Sequence, residues 1–453
     1  MAAVTQRIAN YLSGVSKQPD SKKLPGQVRE CINGLADVTL GMTKRPGFKF
    51  ISKLKTTGGA DFTGTQLDGA KWFYINRDSD RYVGCITPKV GGTNGSVYIW
   101  NATTGAACTV TNGSQHAYLT GVKSNYDVLS VQANTIICND SVTVTTQATP
   151  TGFVAKSRGT ILLTGDKVQM QGESFSVTVA GQTTAAYTAP NDADYDQILD
   201  DLKDKIEDLS ISGLTVTKYG TSLQLDRVVS NTRTTFSLAA EGGIDNERLV
   251  IFQDWASNAS YLPPNSFHDH VVEIVNSVST DVDNYFAKFV ADNETAGSGY
   301  WKETRDPYVS PGLTAATMPY RLRNTGSNAF ILEVIPWLER LAGDIDTVPD
   351  PSFVGKTIKK SFYHDDRLGF LSEDNIILSK AKAPFDLYAA SARTITAGDP
   401  IDVNCASVRP TKLHGILPAR QGLTLFSKSA QFLIYSDDGP LTPTSTKIRP
   451  ISN

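Results

Sequence analysis

The residues best suited to chemistry in this chain are its five histidines: His116, His268, His270, His364 and His414. His268-Asp269-His270 is the one local cluster with metal-ligand character. On a strand, positions i and i+2 share a face, so two imidazoles converge there. The plainer reading, a solvated strand entry after Pro263-Pro264, is preferred. His364-Asp365-Asp366-Arg367 falls in an expected hairpin turn, where acidic side chains satisfy their own backbone. The sequence carries no Gly-x-Ser-x-Gly elbow, no Gly-x-x-x-x-Gly-Lys-Ser/Thr loop and no Gly-x-Gly-x-x-Gly fingerprint. Glycosidase-type carboxylate pairs are defined by separation in space, which a sequence does not display. Trp72, Trp100 and Trp301 could act as sugar platforms, but their places in or beside strands favour burial. The expectation is a protein that is not an enzyme and holds neither metal nor cofactor.

The elements that would position such residues belong to an ordinary globular chain. At 453 residues, about three domains are expected. A net charge of −3 excludes a generally basic nucleic-acid binder. Apolar runs such as Ala329–Leu332 are far shorter than a bilayer span. Cys31, Cys85, Cys108, Cys138 and Cys405 form no close pair, and read as reduced, mostly buried side chains. Charge is unevenly placed: residues 1–55 hold ten Lys/Arg against three acids, a balance of +7. Such a segment suits an acidic partner surface or simply a solvated face.

From Lys71 to Val144 the pattern is one of short strands. Trp72–Ile75 and Tyr82–Ile86 form a hairpin around Asn76–Arg81; Val97–Trp100 leads through a turn to Cys108–Val110. Val128–Val131 pairs with Thr135–Cys138, and Asn139-Asp140 turns into Val142–Val144. Near Gly159 the texture changes. Phe175, Val177 and Val179 alternate with polar residues, as a half-buried strand requires. Tyr195, Ile198, Leu199, Leu202, Ile206 and Leu209 then make one apolar helical stripe, with Asn191 as the expected cap. The eight acids between Asp192 and Asp208 read as that helix's solvated face. Strands at Leu214–Lys218 and Ser222–Leu225 complete an α+β module, and further strands are expected around Tyr285–Val290. After Pro336–Pro351, taken as a boundary, short strands return at Phe362-Tyr363, Leu368–Leu371, Ile376–Leu378 and Gln431–Tyr435. The expected fold class is mainly β with an α+β insertion.

Three segments carry a family resemblance. The first runs from Gly14-Val15-Ser16-Lys17-Gln18-Pro19-Asp20 through Leu24-Pro25-Gly26-Gln27 to Gly41-Met42-Thr43-Lys44-Arg45-Pro46. The second is Tyr300-Trp301-Lys302-Glu303-Thr304 with Ala316-Thr317-Met318-Pro319. The third runs from Pro351-Ser352-Phe353-Val354-Gly355 through Arg367–Ser372 and Asn375–Ser379 to Asp399-Pro400-Ile401-Asp402-Val403. In this order the chain resembles the tail tubular protein B family, the tail-nozzle proteins of short-tailed bacteriophages. Lys17 stands where that family usually has Gln.

The resemblance implies a β-propeller-like domain interrupted by a platform-type domain. The divisions expected from it are a basic N-terminal assembly arm (1–55), a first propeller part (56–155), an inserted α+β platform (156–345) and a second propeller part (346–453). Family members run longer, which implies that this last part is incomplete. Also implied are a structural protein of the virion tail made in the host cytoplasm, a homo-hexameric tube below the tail adaptor ring, and tail fibres nearby. Phage double-stranded DNA would pass through the lumen without sequence-specific binding, into the host envelope at ejection. Gln18, Pro19, Lys44, Arg45 and Pro46, outside the repetitive strand texture, are the expected assembly-interface residues. The alternative is a carbohydrate-binding or glycan-cleaving β-propeller protein.

Overall fold

The computed structural model describes residues 10–77, 80–131, 133–242, 248–276, 284–405, 411–419, 422–437 and 439–452. The protein is mainly β. Among the described residues only Lys167–Met170 and Tyr195–Asp208 are α-helical, apart from short 3-10 turns. The chain divides into two units, Met1–Leu54 with Thr103–Gly105, and the remainder.

In the smaller unit, Gly34–Asp37 pairs antiparallel with Gly41–Lys44. The turn forms because the Asp37 carboxylate accepts hydrogen bonds from the amides of Thr39 and Leu40, both at 2.8 Å. Those same bonds hold the Asp37 carboxyl below its usual range. Across residues 10–54 only Gly26 is buried. A two-stranded ribbon without a core beneath it is marginal in water.

Three antiparallel sheets of the larger unit are made of strands that follow one another in sequence. Lys71–Arg77, Asp80–Ile86 and Val97–Asn101 form one. Lys360–His364, Arg367–Ser372, Asn375–Leu378 and Ile401–Asn404 form a second. Leu413–Ala419, Gly422–Ser427, Gln431–Tyr435 and Lys447–Ser452 form a third. In the second, the two residues between Lys360–His364 and Arg367–Ser372 are Asp365 and Asp366, with φ of 47° and 57°. Positive φ at both positions is what a two-residue hairpin loop demands, and Asp tolerates it. A cross-strand device recurs in the first two sheets. Phe73 lies opposite Gly84, and Phe362 opposite Gly369. Each ring covers its glycine so closely that a Cβ would meet it at 2.2 Å and 2.1 Å respectively.

A five-stranded sheet joins distant parts of the chain. Its order is Thr109–Thr111, Ala329–Val334, Tyr320–Gly326, Asn134–Asn139, Tyr126–Val131. Thus Tyr320–Gly326 and Ala329–Val334, expected within the inserted segment, complete a sheet begun before it. Both expected turns are present: the Asn101 amide bonds to the Ala106 carbonyl and the Cys108 amide to the Ile99 carbonyl, and the Val142 amide bonds to the Asn139 carbonyl. Beyond them the chain pairs at long range, Thr109–Thr111 running parallel to Ala329–Val334, and Thr143 and Val144 bridging to Thr357 and Val354. One core binds these parts: Ile136, Cys138 and Val144 pack with Leu313, Ile335, Phe353, Leu368, Phe370 and Ile377.

Between them lies the α+β module. Arg158–Leu163 sits between Ser222–Val229 and Leu249–Phe252, and Leu214–Tyr219 pairs with Ser222–Val229. The helix Tyr195–Asp208 buries Ile198, Leu199, Leu202 and Ile206 against Phe175, Val177, Val179, Leu223 and Leu225. At about 1.5–3 kcal/mol per fully buried side chain, this stripe holds the helix in place. Its cap is Asp194, whose carboxylate accepts the Gln197 amide at 2.9 Å. Asn191 is not the cap because Ala193, fully buried, turns into the core first, its amide bonded to the Pro190 carbonyl. A last sheet comprises Trp255–Ala256, Val271–Ile274, Tyr285–Ala291, Ala296–Thr304 and Asn265–Phe267.

Candidate assembly surfaces

The histidine cluster does not converge. Asp269 has φ 59°, so His268 and His270 flank a turn and not a strand. His270 is buried, with Nδ1 3.1 Å from Ser266 Oγ and Nε2 3.2 Å from the Gln253 carbonyl oxygen. Burial, reinforced by the nearby Arg158 guanidinium, depresses its pKa to about 3, so the ring is neutral. His268 Nδ1 instead accepts the Ala291 amide. Among the described residues no group of three or more His, Cys, Asp or Glu is placed to hold a metal ion.

The tryptophans proposed as sugar platforms are largely spent on structure. Trp100 is buried and its indole N–H donates to the Lys55 carbonyl at 2.7 Å. Trp301 donates to the Pro263 carbonyl at 2.8 Å and packs edge-on to Phe289. Trp72 is half-exposed and stacks on Trp100. A cavity of about 290 Å³, not readable from local sequence, is lined by Asp254, Asp306, Asp344, Phe153 and Tyr308, among others. Burial raises the Asp254 and Asp306 carboxyls above their usual range, with Asp344 adding repulsion at Asp306. These three carboxylates come from three separate segments, so only the fold assembles them.

The expected interface residues all lie in the smaller unit and are exposed. Gln18 follows a Ser16 hydroxyl that accepts its amide, and Pro19 precedes the single turn Asp20–Lys22. Lys44 ends the ribbon opposite Gly34. Arg45 bonds to the Asn33 side chain through Nε at 3.2 Å and lies over the Phe48 ring at 4.5 Å. Pro46 begins a stretch without regular secondary structure.

A second exposed surface went unnoticed in the sequence because it lies in the Pro-marked segment read as a boundary. Residues 336–350 form a braced loop. Trp337 packs edge-on to Phe370 and Phe385. Arg340, fully buried, donates to Asp350 at 2.8 Å and lies over the Tyr388 ring; Tyr388 OH donates to the same Asp350 oxygen at 2.9 Å. Asp344 ties the far end by accepting from the amides of Asp346 and Thr347. Held this way, the loop directs Leu338, Leu341 and Ile345 into solvent.

Ionic ties join the parts of the chain on either side of the α+β module. Asp127 accepts from the Ser361 amide at 2.9 Å, the Ser361 hydroxyl at 3.1 Å and Lys360 Nζ at 3.3 Å. Asp140 pairs with Lys359.

The described residues form a mainly β molecule with packed aromatics, a braced loop and exposed apolar side chains. The chain matches the bacteriophage nozzle protein family over residues 1–453 and belongs to it, with a structural role in the phage tail. It is 27% identical, over 99% of its length, to the tail tubular protein gp12 of Escherichia phage T7. It spans about 55% of that relative's length.

Proposed function

We propose that this chain is a wall subunit of the tail nozzle: six copies form a tube beneath the adaptor ring, with tail fibres close by. Through it the phage DNA is ejected across the host envelope. The observation that carries this reading is the N-terminal unit, whose apolar side chains find no core within residues 10–54 and therefore call for other subunits. Gln18, Pro19, Lys44, Arg45 and Pro46 belong to that assembly surface. Residues 56–453 together carry −10, set against +7 for residues 1–55. A net-acidic body suits a conduit, because each Lys/Arg contact with phosphate adds salt-dependent adhesion.

The β-propeller-like domain is assigned to the consecutive sheets of 56–155 and 346–453, extended by Tyr320–Gly326 and Ala329–Val334, whose partners are Asn134–Asn139 and Thr109–Thr111. The platform-type insertion is the α+β module and the sheet that follows it. Light scattering and electron microscopy of the purified chain test the assembly: six-fold tubes are expected, and a lone monomer at every concentration refutes it. The glycan-cleaving alternative draws on the Asp254/Asp306 cavity. Release of reducing sugar from oligosaccharides, abolished by Asp306→Asn, would favour it over the nozzle reading.

A further inference from the structure

We propose that the N-terminal arm of one copy docks, through Phe48, Phe50 and Ile51, onto the Leu338–Ile345 loop of a second copy. This deepens the nozzle reading and rests on its homo-oligomeric state.

The arm is chemically specific. Phe48 is 90% exposed, Phe50 80% and Ile51 58%, within a stretch that also holds Lys44, Arg45 and Lys49. The segment is an apolar strip with positive charge among its residues. Nearby, Ile32, Leu35, Val38 and Leu40, in and beside the two-stranded ribbon, are exposed as well.

The loop is the complement. Leu338, Leu341 and Ile345 are 50%, 59% and 61% exposed, while Glu339, Asp344 and Asp346 supply negative charge among them. Its backbone is fixed at several points: the Leu338 amide on Phe385, the Arg340 amide on Pro311, and Gly343 between Thr304 and Asp306. A rigid apolar cluster with a charged rim loses little freedom on binding. Apolar strip meets apolar knobs, and basic rim meets acidic rim. Both halves reside in the same chain, so a second copy carries the complement in apolar surface and charge, and it is the occupant proposed.

The experiment mixes two forms of the full chain. One carries Phe48→p-benzoylphenylalanine at natural isotope abundance; the other is unsubstituted and labelled with nitrogen-15. After irradiation, mass spectrometry locates the adduct. The expected product joins residue 48 to a labelled peptide spanning 336–348. In parallel, the double variant Leu338→Asp/Leu341→Asp should keep the parent circular dichroism, because both side chains are exposed, yet weaken self-association at least tenfold. Adducts confined to the unlabelled chain, or on labelled peptides elsewhere, overturn the proposal. If tubes form with the adduct elsewhere, this contact fails while the nozzle reading stands. If the unsubstituted chain never associates, both fail.

Discussion

Removing the Asp127 carboxylate should loosen the tie between the strand Tyr126–Val131 and the strand Lys360–His364. Asp127 accepts from the amide and hydroxyl of Ser361, a residue only 3% exposed. Asp127→Ala leaves that amide buried without an acceptor. Hydrogen bonds to a charged group are worth about 1.5–3 kcal/mol, and stranding a buried donor costs about 1–3 kcal/mol, two overlapping counts of one loss. The Lys360 contact is partly exposed and adds at most about 1 kcal/mol. The expected loss is therefore about 2–4 kcal/mol locally, which corresponds to roughly 30- to 1,000-fold faster exchange of the Ser361 amide hydrogen. Asp127→Asn keeps an acceptor oxygen and should lose clearly less. Hydrogen exchange read by mass spectrometry on the peptide containing Ser361, with urea denaturation alongside, measures both. An Asp127→Ala protein within about 0.5 kcal/mol of the parent, with unchanged exchange at Ser361, would refute the reasoning.

Other perturbations probe separate parts of the molecule. Leu202→Ala, which empties a fully buried position beneath the helix, should cost about 2–5 kcal/mol in denaturant titrations. Asp194→Ala should cost about 1 kcal/mol and Asn191→Ala almost nothing; the reverse order would put the cap where the sequence suggested. Gly369→Ala drives a Cβ into the buried Phe362 ring and should cost about 1–3 kcal/mol, a loss that Phe362→Leu in the same chain partly relieves. His270 has its pKa lowered to about 3 in the folded state, so the unfolded chain binds the proton more readily below about pH 6.5. Stability on its account is intact above that pH and falls by up to about 1.4 kcal/mol per unit as the pH drops toward 3. His270→Gln should flatten the pH dependence of stability between pH 6 and 4, and an unaltered slope would contradict the neutral buried ring.

Local patterns were legible wherever one residue type determines the outcome. The alternation at Phe175, Val177 and Val179, the stripe from Tyr195 to Ile206, and the hairpins closed at Asp365-Asp366 and Gly220 all follow from short-range periodicity and turn chemistry. What escaped was long-range. The turn between Asn101 and Cys108 was readable, but nothing near Thr109 announces that its strand partner is Ala329. The turn into Val142–Val144 was readable as well, while its bridging partners, beyond residue 350, were not. The His268-Asp269-His270 cluster was readable as a candidate, while the positive φ at Asp269 that separates the rings was not. The braced loop at 336–350 was hidden for a related reason. Its prolines resemble a linker, and the side chains that stiffen it, Asp350, Phe370 and Tyr388, come from further along the chain.

The nozzle proposal rests on subunits that are completed by copies of themselves. Electron cryo-microscopy of the purified full chain tests this most directly. A closed six-fold ring in which residues 10–54 are ordered against a neighbouring subunit is the predicted result. Isolated particles whose apolar N-terminal side chains remain in solvent, at every concentration tested, would contradict it.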